Sequence, residues 1–264
     1  MRIRKALTIA GSDSGAGAGI QADLKTFAAL GVYGTSALTA VTAQNTMSVT
    51  KIAALAPAMV AAQIDAVITD IGADALKTGM LANREIIEVV AHKIRQHRLR
   101  NLVVDPVMVA TSGDLLIEKN AVAALRSRLI PLAAVVTPNI PEAEELTGMS
   151  LRKAEDFAEA ARQIIALGAR SVVIKGGHRQ GPAVDLYYDG KSFRSLHAPR
   201  IRTKNTHGTG CTFSAAIAAY LARGEKIEPA VALAKKYITR AISKAFPVGP
   251  GHGPVHHFHR WWKT

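Results

Sequence analysis

The chain has one cysteine, Cys211, in 264 residues. This excludes an internal disulfide and points to a reducing, cytoplasmic setting. Aromatic residues make up only 5%, too few for a surface that stacks successive bases. Acidic residues are also short, with 20 Asp and Glu against 33 Lys and Arg and a net charge of +13. The basic residues are scattered along helix faces such as "HKIRQHRLR" (92–100), so the charge reads as a solvated surface that favours anionic ligands rather than as a nucleic-acid footprint. Long apolar runs are missing: "AAIAAYLA" falls far below the roughly 20 residues a bilayer demands, and no membrane span is expected. The run after "MRIRK" is brief and leads into Asp13 and glycines, which makes it a first strand rather than a signal peptide. No G-x-x-x-x-G-K-[ST] loop occurs, which excludes the Walker type of nucleotide site.

What is present is alternation. Short β-rich runs, "ALTIAG", "TSALTAVT", "ALKTG", "NLVVDPV", "AAVVTPN" and "SVVIKGG", alternate with helix-length segments at 19–30, 57–69, 83–98, 118–129, 140–147 and 153–167. A hairpin across 183–197 and two helices at 209–223 and 228–245 complete the chain. The order implies βαβ units, a mainly parallel sheet and helices on both faces. No linker or repeat interrupts it, so one domain over 1–264 is expected. Ligands in such sheets bind beyond the carboxyl ends of the strands. Polar residues gather there: Gln44, Asp105, Asn139, Glu142 and Lys175. Each is also compatible with a plain turn or first-turn helix role.

Two glycine-rich stretches compete for the phosphate. "GSDSGAGAG" (11–19) meets the G-x-G-x-x-A form of the dinucleotide fingerprint through Gly17, Gly19 and Ala22, but no acidic residue ends the second strand as that fingerprint requires. Its alternative is a turn that closes over a small ligand, with Asp13 or Asp23 reaching in. "NTHGTGCTFSAA" (205–216) is the stronger candidate. Gly208 and Gly210 allow positive φ, and a helix starting near 210 turns its positive end toward an anion. Cys211 would sit at that helix N-terminus, where a thiol pKa is usually lowered, or would simply pack the helix start.

The second stretch resembles the anion hole of the ribokinase superfamily, with cysteine where the sugar kinases carry an aspartate base. Together with "TIAGSDSGAGAGIQADLKTF", "GVYGTSALTAVTAQNT", "KTGML", "VVDPVMVATSG", "TPNIPEAEELTG" and "GHGPVHHF", it is similar to the hydroxymethylpyrimidine/phosphomethylpyrimidine kinases of thiamine biosynthesis. The resemblance implies a three-layer αβα ribokinase-like fold. It also implies ATP as phosphoryl donor, Mg²⁺, with room for an auxiliary monovalent cation, and a homodimer. By position it makes Gln44 the residue that hydrogen-bonds the aminopyrimidine, lined by Gly11, Asp23, Met80 and Val107. Asp105 and Glu142 fall on the magnesium side and Asn139 and Lys175 on the phosphate side. Gly208, Thr209, Gly210 and Cys211 form the hole, with Cys211 as base. The nearest rival acceptor is a pyridoxal-type alcohol, and a non-catalytic nucleotide-binding module is the rival of another class. Histidines 252, 256, 257 and 259 are not read as a metal site, since they sit among Gly, Pro and aromatics in a segment that resembles the family's tail, and Trp261 and Trp262 are read as packing or a subunit contact.

Overall fold

Paired residues along the strands explain the layers. Ala6, Ala75, Val103, Val135 and Val173 pack into one apolar cluster, while their chain neighbours Leu7, Leu76, Val104, Val136 and Val172 pack into another. Successive strand residues point to opposite faces, so this sheet is covered on both sides. The computed structural model describes residues 2–109, 116, 118, 120–177 and 183–262. Part of "VVDPVMVATSG", residues 110–113, lies outside them.

Among the described residues the strands are β1 (Lys5–Asp13), β2 (Tyr33–Gln44), β3 (Val49–Ala54), β4 (Ala75–Thr78), β5 (Leu102–Val104), β6 (Val135–Val136), β7 (Val172–Ile174), β8 (Ala183–Tyr188) and β9 (Phe193–Ala198). They form one sheet in the order β3-β2-β1-β4-β5-β6-β7-β8-β9. β2 through β7 run parallel in that order, and β3, β8 and β9 are antiparallel to their neighbours. Helices α1 (Gly19–Ala29), α7 (Thr209–Ala222) and α8 (Ile227–Ser243) cover one face. Helices α2 (Pro57–Asp70), α3 (Arg84–Gln96), α4 (Ala121–Ala124), α5 (Ile140–Thr147) and α6 (Ala154–Ala166) cover the other. This is the expected three-layer αβα arrangement.

Local sequence sets these elements. In α3, Asn83 caps the N-terminus by accepting the Ile86 N–H at 3.0 Å, and Ile86, Ile87, Val90, Ala91 and Ile94 form its buried stripe, the spacing of an amphipathic helix. Helix α7 is buried from Thr212 to Ala222; its small, apolar residues on all sides let it lie between the sheet, α1 and α8.

Two elements differ from expectation. β3, "VTKIAA", is almost wholly exposed, so as an edge strand it carries no alternating apolar pattern. The helix expected over 118–129 starts at Ala121, widens into a π turn over Leu125–Leu129 and tightens into a 3₁₀ turn over Ile130–Leu132. Pro131 lacks the N–H that a continuing helix needs, and its ring opposes the carbonyl four residues back.

Candidate active site

The residues singled out at strand ends do converge. Gln44 ends β2, Met80 lies just past β4, Asp105 directly follows β5, Asn139 follows β6 and Lys175 directly follows β7. Asn139 and Lys175 pair as an isolated parallel bridge, which extends the sheet at this edge. Gly11 and Met80 also meet, since a Cβ on Gly11 would stand 3.0 Å from Met80 Sδ. Val107 is half-buried nearby in the chain from Asp105. Gln44 is half-buried; Thr42 Oγ1 donates to its Oε1 at 3.2 Å, and its own backbone is fixed to the Ser14 hydroxyl at 2.7 Å.

The two glycine-rich stretches are not rivals but facing walls. A Cβ on Gly208, whose φ is +78°, would fall 1.8 Å from the Gly17 carbonyl oxygen, and one on Gly17 would fall 2.3 Å from the His207 ring. Asp13 joins them. It accepts N–H bonds from Gly15, Gly17 and Ala18 at 2.8–3.0 Å, and its Oδ2 lies 2.8 Å from His207 Nε2. Burial alone would push the Asp13 carboxyl up, but the His207 bond and the backbone donors hold it below its usual range. Asp13 therefore shapes the loop through these bonds.

On the α7 side, the Thr209 N–H bonds the Thr206 carbonyl at 3.2 Å and the Thr212 N–H bonds the Gly208 carbonyl at 2.8 Å. The first turn thereby leaves the Gly210 and Cys211 N–H groups, at the positive end of the helix, for an anion. Gly210 lies against the charged groups: a Cβ there would stand 3.2 Å from Lys175 Nζ and 3.7 Å from Asp105 Oδ2.

Asp105 is the hub of the charged groups. Lys175 Nζ lies 3.0 Å from its Oδ1, Thr137 Oγ1 donates to Oδ1 at 3.1 Å, and Ser214 Oγ lies 3.2 Å from Oδ2. Burial works to raise its pKa, yet the Lys175 and Lys77 charges and these bonds hold it low. Glu142, 3.9 Å from Lys175, also closes a capping box with Asn139: the Asn139 N–H donates to Glu142 Oε2 at 2.7 Å, and the Glu142 N–H donates to Asn139 Oδ1 at 2.9 Å. Burial, with Asp105 adding repulsion, pushes the Glu142 carboxyl up to about 7. Among the described residues no three His, Cys, Asp or Glu side chains gather as a metal cluster. A divalent ion here would take its oxygens from Asp105, Glu142, water and phosphate, the donor set magnesium prefers.

Cys211 is half-buried, and the expected lowering of its thiol pKa is not found. Desolvation pushes it up to about 11, with Asp105 and Asp23 adding to the rise and Lys77 and the Gly19 N–H opposing it. Here burial outweighs the helix end. Beneath it, Asp23 and Lys77 form a fully buried ion pair at 2.9 Å, and Thr8 Oγ1 donates to Asp23 Oδ2 at 2.6 Å. Burial works against the Lys77 ammonium, but Asp23 and neighbouring Asp105 raise its pKa and keep it charged. Asp23 Oδ1 has no hydrogen-bond partner, which leaves one buried acceptor beside the crevice.

Lys77, Thr137, His207 and Ser214 were not singled out by the sequence reading. For Lys77 a signal existed, because a lysine inside the otherwise uncharged strand "ALKT", buried at every position, needs a buried partner. His256 and His257 are buried, and desolvation lowers the His257 pKa to about 3. Trp261 and Trp262 are instead largely exposed, though Trp262 stacks on Phe258 at 5.2 Å.

A family model described as phosphomethylpyrimidine kinase matches residues 13–256. A hydroxymethylpyrimidine/phosphomethylpyrimidine kinase from Rhizobium meliloti is 56% identical over 264 residues, covering 98% of both chains. The thiamine biosynthesis bifunctional protein ThiED from Geobacter sulfurreducens is 57% identical across 95% of the chain, which spans only 51% of that protein's length. Among solved structures, an ADP complex of Bacillus subtilis pyridoxal kinase superposes with a TM-score of 0.92 at 44% identity, covering 98% of this chain and 100% of that one.

Proposed function

The chain belongs to the phosphomethylpyrimidine kinase family, and from that premise we propose a two-step reaction carried out by one domain spanning 1–264. It transfers the γ-phosphoryl group of ATP to the hydroxymethyl group of 4-amino-5-hydroxymethyl-2-methylpyrimidine, then to the resulting monophosphate, in thiamine biosynthesis. The observation that carries this reading is that one edge of the sheet brings together Gly11 against Met80, the end of β2 with Gln44, and Gly210 of the α7 loop against Lys175 and Asp105. Gln44, with an amide that both donates and accepts, suits the ring nitrogen and exocyclic amine of an aminopyrimidine. Met80 and Val107 supply apolar faces, whereas Asp23, expected to line the pyrimidine, is fully buried against Lys77.

Phosphoryl transfer is mostly positioning and charge stabilisation. The Gly210 and Cys211 N–H groups face the transferred group, Lys175 neutralises its charge, and Asn139 borders the phosphate side. Asp105 and Glu142 would hold Mg²⁺, which neutralises and orients the donor phosphates. Cys211 Sγ takes the hydroxyl proton in the first step. Because its pKa stands at about 11, the reactive thiolate is a minor form at neutral pH. The second acceptor is already ionised and does not need it.

The similarity to a pyridoxal kinase keeps pyridoxal as the rival acceptor, and Gln44 favours the pyrimidine. Comparing kcat/KM for the two alcohols decides between them: the pyrimidine is expected to be preferred, and a preference for pyridoxal overturns the assignment. Exposed Val41, Met47 and Ile52 on β2, β3 and their connection support a homodimer through this edge. The cytoplasm is the expected compartment; among the described residues no helix is long and apolar enough to cross a membrane.

A further inference from the structure

Residues 249–257, which follow α8, run between the two halves of the site. On the pyrimidine side, the Gly251 N–H donates to Thr46 Oγ1 at 3.2 Å and the His252 N–H to the Thr46 carbonyl at 2.9 Å. Thr46 lies in the turn that carries Gln44. On the phosphate side, the His207 N–H donates to the Gly253 carbonyl at 3.0 Å, the Val255 N–H donates to the His207 carbonyl at 3.3 Å, and His252 Nδ1 lies 3.1 Å from the Lys204 carbonyl oxygen. His257 Nε2 then reaches Thr212 Oγ1, in the first turn of α7, at 3.1 Å.

Close approach fixes both seams. A Cβ on Gly251 would stand 2.1 Å from the Thr46 carbonyl oxygen, and one on Gly253 would stand 2.4 Å from Asn205 Oδ1. A segment that merely covered surface would need neither seam. One that is bonded through its main chain to both loops, to Thr46 from Gly251 and His252 and to His207 from Gly253 and Val255, sets the distance between them.

We infer that residues 249–257 are a strap that holds the Gln44 loop in register with the Gly208–Cys211 loop, and so positions the acceptor hydroxyl against the transferable phosphoryl group. The inference rests on the reading of the site proposed above. It assigns the strap a positioning role, since none of its residues needs to touch substrate. In-line transfer tolerates little misplacement: a shift of about 1 Å can cost about 100-fold in rate.

Two readouts test it, with Gly253→Ala as the main variant and Thr46→Val, which removes the Gly251 acceptor, as a milder second in case the first folds poorly. The control is Val231→Ala, a cavity in buried α8 remote from both loops. The strap variants are expected to lose about 10- to 100-fold in kcat per folded molecule, with KM for ATP and for the pyrimidine each within about threefold of wild type. The control should keep kcat at a comparable loss of Tm. A kcat loss no greater than the control's, or a loss carried wholly by one KM, overturns the strap. Hydrogen–deuterium exchange needs no turnover. The nearest atoms to the added methyl of Gly253→Ala belong to Asn205, on the phosphate-side loop, and to the Phe246 carbonyl, none of them in 43–48, yet exchange should rise at 43–48 as well as at 204–209. A rise confined to 204–209 overturns the inference. Absence of turnover in the wild type would overturn the reading of the site, while the exchange result would still judge the strap.

Discussion

At Cys211 two effects act on one sulfur, the positive end of α7 and the loss of water around it. Desolvation prevails and pushes the thiol up to about 11. At pH 8 the chain's only cysteine should therefore react with iodoacetamide about 100-fold more slowly than an unperturbed thiol, because only thiolate reacts; an equal or faster rate shows that the thiol is activated instead. If the thiolate is the base, the first phosphorylation should quicken about tenfold per pH unit from about 7 to 10, since the reactive fraction grows with pH below the pKa. The second should stay nearly flat, and Cys211→Ala should abolish the slope of the first. Near-normal first-step turnover by Cys211→Ala would leave the residue a structural part of the loop. Gln44→Leu should weaken pyrimidine binding by about 1–3 kcal/mol, the cost of unpaired polar groups, with ATP affinity unchanged in calorimetry; equal losses for both ligands contradict its role.

At the scale of elements, the Asp13–His207 pair joins two loops nearly 200 residues apart in the chain. The folded Asp13 pKa is depressed, so its contribution is present above the unfolded value of about 3.8 and fades as pH falls through the folded value. Asp13→Asn should lower Tm at neutral pH and flatten its fall in that acid range; an acid limb identical to wild type contradicts the stapling role. The sequence made 11–19 and 205–211 alternatives because local pattern cannot reveal that Gly17 and Gly208 are mutual neighbours. It did mark the strand-end polar residues that the fold brings to one sheet edge, since these follow from βαβ alternation. Lys77 and Ser214 went unnoticed because one lies inside a strand and the other inside an apolar helix, where a polar residue acquires meaning only from its buried partner. β3 was missed for want of alternation, and the helix around 125 was drawn too regular because the effect of Pro131 spreads back over a full turn.

For the whole molecule, the three layers were legible because every parallel strand reads as a short apolar run between amphipathic helices. The edge strand β3 is less covered than the parallel strands. Ile52 on it and Val41 on neighbouring β2 are exposed, and an exposed apolar edge strand invites another chain. Ile52→Asp should convert a dimer to a monomer by light scattering without loss of helical signal; a monomeric wild type, or a dimer indifferent to the change, contradicts the proposed pairing. The layered sheet matters for the proposed function because it brings Gln44, Asp105 and Lys175 to one edge, with the start of α7 against the last two. The most direct test is ³¹P NMR of the purified chain with ATP, Mg²⁺ and 4-amino-5-hydroxymethyl-2-methylpyrimidine. The expected result is a monophosphate ester that appears first and then gives way to a diphosphate as ADP accumulates, whereas ATP left unconsumed, or consumed without any pyrimidine ester, would contradict the kinase assignment.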